Sequence, residues 1–170
     1  MVFKILNIHF FGGTPMYVSI PDYGEFDLNY LVMDYNGTLA IDGILIDGVK
    51  EALNALSRNL SLHVLTADTF GKAKAGLEGI DCTLSILPEK DQQAGKLAYV
   101  RSLGAEQTVS IGNGRNDQQM LKASALGIAV ILAEGASGET LQAADVVCTS
   151  IGSALDLLHN PLRLTATLRS

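Results

Sequence analysis

Four places in the chain set chemically active side chains at the ends or starts of apolar segments. Leu31-Val32-Met33 runs straight into Asp34-Tyr35-Asn36-Gly37-Thr38, Leu60 to Leu65 runs into Thr66-Ala67-Asp68-Thr69, and Thr108 to Ile111 runs into Gly112-Asn113-Gly114-Arg115-Asn116-Asp117. Lys96 stands near the start of a segment in which Leu97, Val100 and Leu103 recur at helical spacing. A short continuous apolar run is the pattern of a buried parallel strand. Side chains at the carboxyl ends of such strands face the crevice where open α/β sheets bind ligands. Asp34, Thr66 and the Gly112–Asp117 loop can therefore converge on one edge, where Lys96 reaches in with a long cationic arm. A carboxylate, a hydroxyl, an ammonium and a second acidic loop are what metal-assisted phosphoryl transfer needs. The carboxylate attacks phosphorus to give an aspartyl-phosphate. A hard cation such as Mg²⁺ shields the repulsion between nucleophile and phosphate, and the hydroxyl and lysine hold the equatorial oxygens. Gly37 lets the chain turn sharply and bring N–H groups toward an anion. Each motif alone has a plainer reading. Asp, Asn and Gly are common at any strand-to-turn junction, a strand-end Thr often caps a helix, and most Lys are solvated surface charges.

Positioning those groups requires a series of alternating elements. Met16 to Ile20 and Glu25 to Asn29 flank Pro21-Asp22-Tyr23-Gly24, which predicts a hairpin leading into the Leu31–Asp34 strand. Asp42-Gly43 and Asp47-Gly48 bracket Ile44-Leu45-Ile46 as a short flap, and Val49, Leu53 and Leu56 predict a helix over residues 47–58. After Thr66 a helix over residues 71–77 is expected, with Asp68 or Thr69 as its cap. Then come a strand from Thr83 stopped by Pro88, a helix through Lys96 ending at Gly104, and a helix opened by Met120 and Leu121. Strands at Leu126–Leu132 and Ala144–Cys148 and a last helix ending before Pro161 complete the pattern. Alternation of this kind implies right-handed crossovers and a Rossmann-like three-layer α/β/α sandwich with a mostly parallel sheet. One domain over residues 1–170 is expected, with residues 1–29 an extension and hairpin and residues 30–160 the core.

Composition agrees with a sheet covered on both faces: 48% hydrophobic and 18% charged residues, mean hydropathy +0.25. A net charge of −6 argues against a nucleic-acid footprint. No apolar run approaches the length of a membrane-spanning helix. The apolar stretch Ile5 to Phe11 lacks a cleavage pattern, so no signal peptide is expected, and Met16 offers an alternative start. Gly12-Gly13-Thr14-Pro15 reads as a loop. Cys82 and Cys148 are too few and too distant for a disulfide framework, which points to reduced, buried thiols and a cytoplasmic setting. His9, His63 and His159 show no metal-ligand spacing, and His63, inside an apolar strand, reads as a satisfied core histidine.

Asp34-Tyr35-Asn36-Gly37-Thr38, Leu65-Thr66-Ala67-Asp68, Lys96 and Gly112-Asn113-Gly114-Arg115-Asn116-Asp117 resemble, in order, the four motifs of the haloacid dehalogenase superfamily. The likeness is strongest to the phosphorylation domain of P-type ATPases, with its D-K-T-G-T, L-T-G-D, lysine and G-D-G-x-N-D, and so to the soluble phosphatases of that branch. The resemblance implies a phosphohydrolase with Asp34 as nucleophile. Thr66, Ala67, Lys96, Gly37 and Asn116 would lie around the phosphoryl group. Mg²⁺ would be held by Asp34, the Asn36 main-chain carbonyl, Asn113 and Asp117. Lys90, which follows Pro88-Glu89, competes with Lys96; Val100, four residues on as in the pumps, favours Lys96.

Two departures damp the expected chemistry. Asn36 stands where the superfamily's phosphatases carry an acid that gives and takes a proton, help typically worth about 10²–10⁴-fold. Asn113 replaces a metal-binding Asp, which leaves Asp117 as the main remaining anionic ligand. Asp68 could carry the missing proton, although helix capping is the commoner employment of such a residue. A non-catalytic phosphate-binding module, or transfer to an acceptor other than water, are therefore the alternatives to slow hydrolysis. With 27 residues between Thr38 and Thr66 and 29 between Thr66 and Lys96, neither gap holds a cap domain. An open site of this kind implies a phosphorylated small-molecule or macromolecular substrate, or closure by a second copy of the chain in a homo-oligomer.

Overall fold

A computed structural model describes residues 15–68 and 71–170. The readings made for Ile5 to Phe11, for Gly12 to Thr14 and for Thr69 as a cap lie outside these residues. An antiparallel hairpin opens the described chain: β1 (Met16–Ile20) pairs with β2 (Gly24–Leu28). The chain then enters β3 (Tyr30–Asp34). A two-residue turn follows between β4 (Ala40–Ile41) and β5 (Ile44–Leu45), with Asp42 at φ 52° and Gly43 at φ 78°. Two consecutive left-handed residues are the signature of the tightest hairpins, and an Asp-Gly pair favours them. The flap thus turns at Asp42-Gly43, whereas the sequence reading had placed that pair outside it. Next come α1 (Val49–Leu56), β6 (Ser61–Thr66), α2 (Ala73–Gly76), β7 (Thr83–Ile86), α3 (Gln92–Leu103), β8 (Thr108–Gly112), α4 (Gln118–Ala123) and β9 (Leu126–Val130). The chain closes with α5 (Gly138–Ala143), β10 (Val146–Cys148), α6 (Ile151–His159) and α7 (Pro161–Leu168).

Six of these strands form one parallel sheet in the order β10-β9-β8-β3-β6-β7. The chain runs outward from β3 through β6 to β7, then returns to build β8, β9 and β10 on the other side. β3 is therefore the point where strand order reverses, the place where such sheets bind ligands. Alternation along β3 divides its side chains between two buried clusters. Leu31 and Met33 pack with α1, α6 and the hairpin, and Val32 packs with Leu65, Val100, Met120 and Leu121 beneath α3 and α4. Asp34, two residues beyond Val32, emerges on the α3 side.

Several elements differ from the sequence reading. The helix expected over residues 71–77 is a single turn, Ala73–Gly76, whose first N–H donates to Asp68 Oδ1 at 3.0 Å. Asp68, at φ 51°, thus holds the start of α2 from a distance, while Lys72 occupies the N-cap position without a side-chain bond. α5 had no sequence signal. Pro161 does not end the last helix but starts α7 at the first helical position, where its missing N–H costs nothing. The expected apolar face of α3 is rotated: its buried residues are Lys96 and Val100, with Leu97 and Leu103 only half-buried. Cys148 is buried as expected, whereas Cys82 is half-buried.

Candidate active site

Asp34, Lys96 and Asp117 form a buried triad at the centre of the sheet's carboxyl edge. Lys96 is fully buried, and its Nζ donates to Asp34 Oδ1 at 2.6 Å, to Asp117 Oδ1 at 2.5 Å and to Asn116 Oδ1 at 3.3 Å. Those three bonds use all three ammonium protons. Lys90, its rival, is exposed. Asp117 Oδ2 accepts the N–H groups of Asn113 at 3.0 Å and Gly114 at 2.9 Å. Both Asp117 oxygens are therefore engaged inside the protein, and Gly112 must lack a side chain because a Cβ there would collide with the Asp117 carboxyl. Asn116 is steadied by donating from Nδ2 to Gln92 Oε1 at 2.8 Å.

Burial and neighbouring charges together shift Asp34 and Lys96. Burial pushes the Asp34 carboxyl up from 3.8 to about 7, the neighbouring Asp117 charge pushes the same way, and Lys96 opposes both. Burial works to deprotonate Lys96, but the two carboxylates outweigh it and hold the ammonium above the usual lysine range.

The turn after Asp34 is tied internally. The Gly37 N–H donates to Ala40 O at 2.7 Å, and those of Thr38, Leu39 and Ala40 all reach Tyr35 O. The N–H of Gly37 is thus not turned toward an anion, as the sequence had implied. Its glycine character serves another need, since at φ 78° a Cβ would collide with the Asn113 amide. Asn113 lies on that glycine. Its Oδ1 accepts from Thr38 Oγ1 at 3.2 Å, its Nδ2 donates to Gly135 O at 3.0 Å, and its carbonyl accepts from the Ser137 N–H at 2.9 Å. One amide therefore clips together the Asp34 turn, its own loop and residues 132–137. Glu134 in that last segment accepts the Asp42 N–H at the flap tip at 3.0 Å, and Tyr35 Oη donates to Gly43 O at 3.3 Å from beneath.

Thr66 is buried at the end of β6, where its Oγ1 accepts the Asp68 N–H at 2.9 Å; among the described residues it shares no hydrogen bond with the triad. Ala67 follows it, half-buried. Asn36 Oδ1 is buried without a hydrogen-bond partner. Gln92, Gly135 and Thr140, which donates to Gly114 O at 2.7 Å, support the site without having been singled out in the sequence. The only signal was the polar character of residues 89–93, which contain Gln92.

Among the described residues no three His, Cys, Asp or Glu side chains gather to hold a metal ion. The oxygen set of the Asp34 carboxylate, the Asn36 main-chain carbonyl and the Asn113 amide nevertheless fits a hard cation. In the turn that follows Asp34, Asn36 Oδ1 is buried and short of a donor or a cation. Asp117 is a poorer ligand than the sequence implied, because coordination would displace Lys96 or the two N–H groups it holds.

Comparison with known proteins gives concordant findings. The family of haloacid dehalogenase-like hydrolases matches residues 88–153. An uncharacterised protein of Methanocaldococcus jannaschii is 43% identical over 82 residues, spanning 46% of this chain and 88% of its own. Among solved structures, 3-deoxy-D-manno-octulosonate 8-phosphate phosphatase from Moraxella catarrhalis, in complex with magnesium, phosphate and KDO, superposes with a TM-score of 0.63. It is 16% identical, and the match covers 84% of this chain and 94% of that one. The cobalt-bound form of the deoxy-D-mannose-octulosonate 8-phosphate phosphatase from Haemophilus influenzae gives a TM-score of 0.62 at 14% identity, with coverage of 84% and 94%.

Proposed function

This chain belongs to the haloacid dehalogenase superfamily, and on that premise we propose that it is a Mg²⁺-dependent phosphohydrolase working through an aspartyl-phosphate on Asp34. The observation that carries the reading is the buried Asp34–Lys96–Asp117 triad at the strand-order switch point. Asp34 is the nucleophile. Lys96 balances it and turns to a phosphoryl oxygen by releasing Asn116, the longest of its three bonds. Asp117 fixes Lys96 in place. Thr66, Ala67 and Asn116 line the phosphoryl position, and Asn36 and Asn113 offer amide or carbonyl oxygens to the cation. Bound Mg²⁺ would screen the repulsion between the carboxylate and an anionic phosphoryl group. Asn36 cannot exchange a proton, so turnover is slow. The soluble P-type-ATPase-like branch, a cytoplasmic setting, one domain, a phosphorylated small-molecule or macromolecular substrate and a second copy over the open edge belong to the same reading.

Incubation with Mg²⁺ and acetyl phosphate, followed by intact mass, tests it. One added phosphoryl group, absent in Asp34→Asn and after EDTA, is the expected result. Unchanged phosphatase activity in Asp34→Asn would end the proposal. Asn36 and Asn113 favour a second reading, a phosphate-binding module without turnover, for which neither label nor product would form.

A further inference from the structure

We propose that this site takes phosphoryl donors whose leaving group departs as a weakly basic anion, phosphoanhydrides and acyl phosphates, and discriminates against alkyl phosphate monoesters, an inference that rests on Asp34 being the nucleophile. In the first step Asp34 Oδ forms a bond to phosphorus while the bond from phosphorus to the leaving oxygen breaks, its electron pair staying on that oxygen. An alkoxide is too basic to leave near neutral pH without taking a proton. A carboxylate or a phosphate needs none.

Among the described residues, the groups at the sheet edge beside Asp34 have no proton to give. Asn36, Asn113 and Asn116 are amides, which donate hydrogen bonds but do not ionise. The three protons of Lys96 are held by Asp34, Asp117 and Asn116, and losing one would leave two buried carboxylates face to face. Asp117 accepts on both oxygens, from Lys96 on one and from two N–H groups on the other, the pattern of an ionised carboxylate. Thr38 and Thr66 are hydroxyls. Asp68, the carboxyl beside the Thr66 strand end, is occupied in accepting the Ala73 N–H at the start of α2.

The unpartnered oxygen of Asn36 fits the second half of the cycle. It is an acceptor, able to hold one O–H of a water approaching the phosphoaspartate. That water's oxygen forms a bond to phosphorus while its proton passes to a phosphoryl oxygen. The bond from phosphorus to Asp34 then breaks with its electron pair returning to the carboxylate, again a weakly basic leaving group. Neither bond broken in the cycle calls for an acid.

The test measures the rate of Asp34 phosphorylation with Mg²⁺ for acetyl phosphate, a series of aryl phosphates of graded leaving-group basicity, and glycerol 3-phosphate. The wild-type rate should fall steeply with leaving-group basicity, glycerol 3-phosphate reacting at least about 100-fold slower than acetyl phosphate, the lower end of what general acid help supplies. Asn36→Asp, which puts a proton donor at the site, should flatten the dependence and raise the glycerol 3-phosphate rate. Asp68→Asn should leave the dependence steep. Equal wild-type rates with acetyl phosphate and glycerol 3-phosphate overturn the inference while leaving Asp34 as nucleophile. So does a dependence that steepens in Asp68→Asn, which would make Asp68 the acid. Should Asn36→Asp not fold, the wild-type slope and Asp68→Asn decide. If no donor labels Asp34, the proposed function falls and this inference with it.

Discussion

At the scale of single residues, the triad sets two acids against one lysine, with Lys96 and Asp117 sealed from water and Asp34 largely so. Removing the positive member leaves Asp34 and Asp117 buried without compensation, and breaking such a pair costs about 3–5 kcal/mol. Lys96→Met should lower unfolding stability by that amount in urea titration, whereas Lys90→Met, at an exposed position, should change it by less than about 0.5 kcal/mol. The charge on Asp34 gives a second expectation. Burial pushes its carboxyl up to about 7, and a bound cation favours the ionised form. Mg²⁺ binding should therefore release a proton below pH 7 and progressively less as pH rises through that value. Titration calorimetry in two buffers of different ionisation enthalpy measures this directly; proton release independent of pH across that range would contradict it. The strand-end pattern pointed to Asp34, and the resemblance to the pumps favoured Lys96 over Lys90. Neither could show that Asp117 and Asn116 would share Lys96 with Asp34, because those contacts join residues from three separate elements.

Among the elements, the decisive contact is the clip that Asn113 makes over Gly37. Asn113→Asp would set a carboxylate against the Gly135 carbonyl, in place of the donated hydrogen bond, while adding a negative charge beside Asp34. The variant should bind Mg²⁺ more tightly, yet exchange the amide hydrogens of residues 132–137 and of the flap faster. Hydrogen-exchange mass spectrometry and magnesium titration together separate the two effects. A second link joins β6 to α3, where His63 bonds Ser61 through Nε2 at 3.1 Å and Tyr99 through Nδ1 at 2.9 Å. Burial pushes the His63 pKa down from 6.5 to about 4. The folded protein thus binds the proton less readily than the unfolded chain. Its stability is whole above pH 6.5 and falls as pH drops toward 4, by about 3 kcal/mol in all. Urea unfolding of wild type and His63→Gln across this window should show the extra loss in wild type alone. The buried character of His63 could be read from its apolar strand. Tyr99 could not be named as its partner, since only the docking of α3 on the sheet brings the two rings to 5.7 Å.

For the whole molecule, the order of strands matters most. Placing β3 between β6 and β8 puts three polar strand ends side by side, and the gaps expected to lack a cap are filled by α1, β6, α2 and β7. Among the described residues no helix is long and apolar enough to cross a membrane. The far side is closed by α7, which packs on β1 and α6 and buries Leu164 in the main core. Leu164→Ala should cost about 2–5 kcal/mol, the range for a buried leucine truncation, and should loosen the amino-terminal hairpin in hydrogen exchange. Protection of β1 and β2 unchanged in that variant would show that α7 is not what holds them.

The sequence by itself determined the alternation of strands and helices, the parallel sheet and the residues at its carboxyl edge. Apolar periodicity and turn chemistry are local properties, legible in a few consecutive residues. It missed α5 and read Pro161 as a stop, because a proline at the first position of a helix and one beyond its end look alike without the packing around them. The tertiary structure alone decided that Asp117 holds Lys96 as well as the Gly112–Asp117 loop, and that Gly37 exists to admit Asn113. It also decided that Asn113 fastens three loops to one another. These are matters of which atom lies within three ångströms of which other, and no spacing along the chain fixes them.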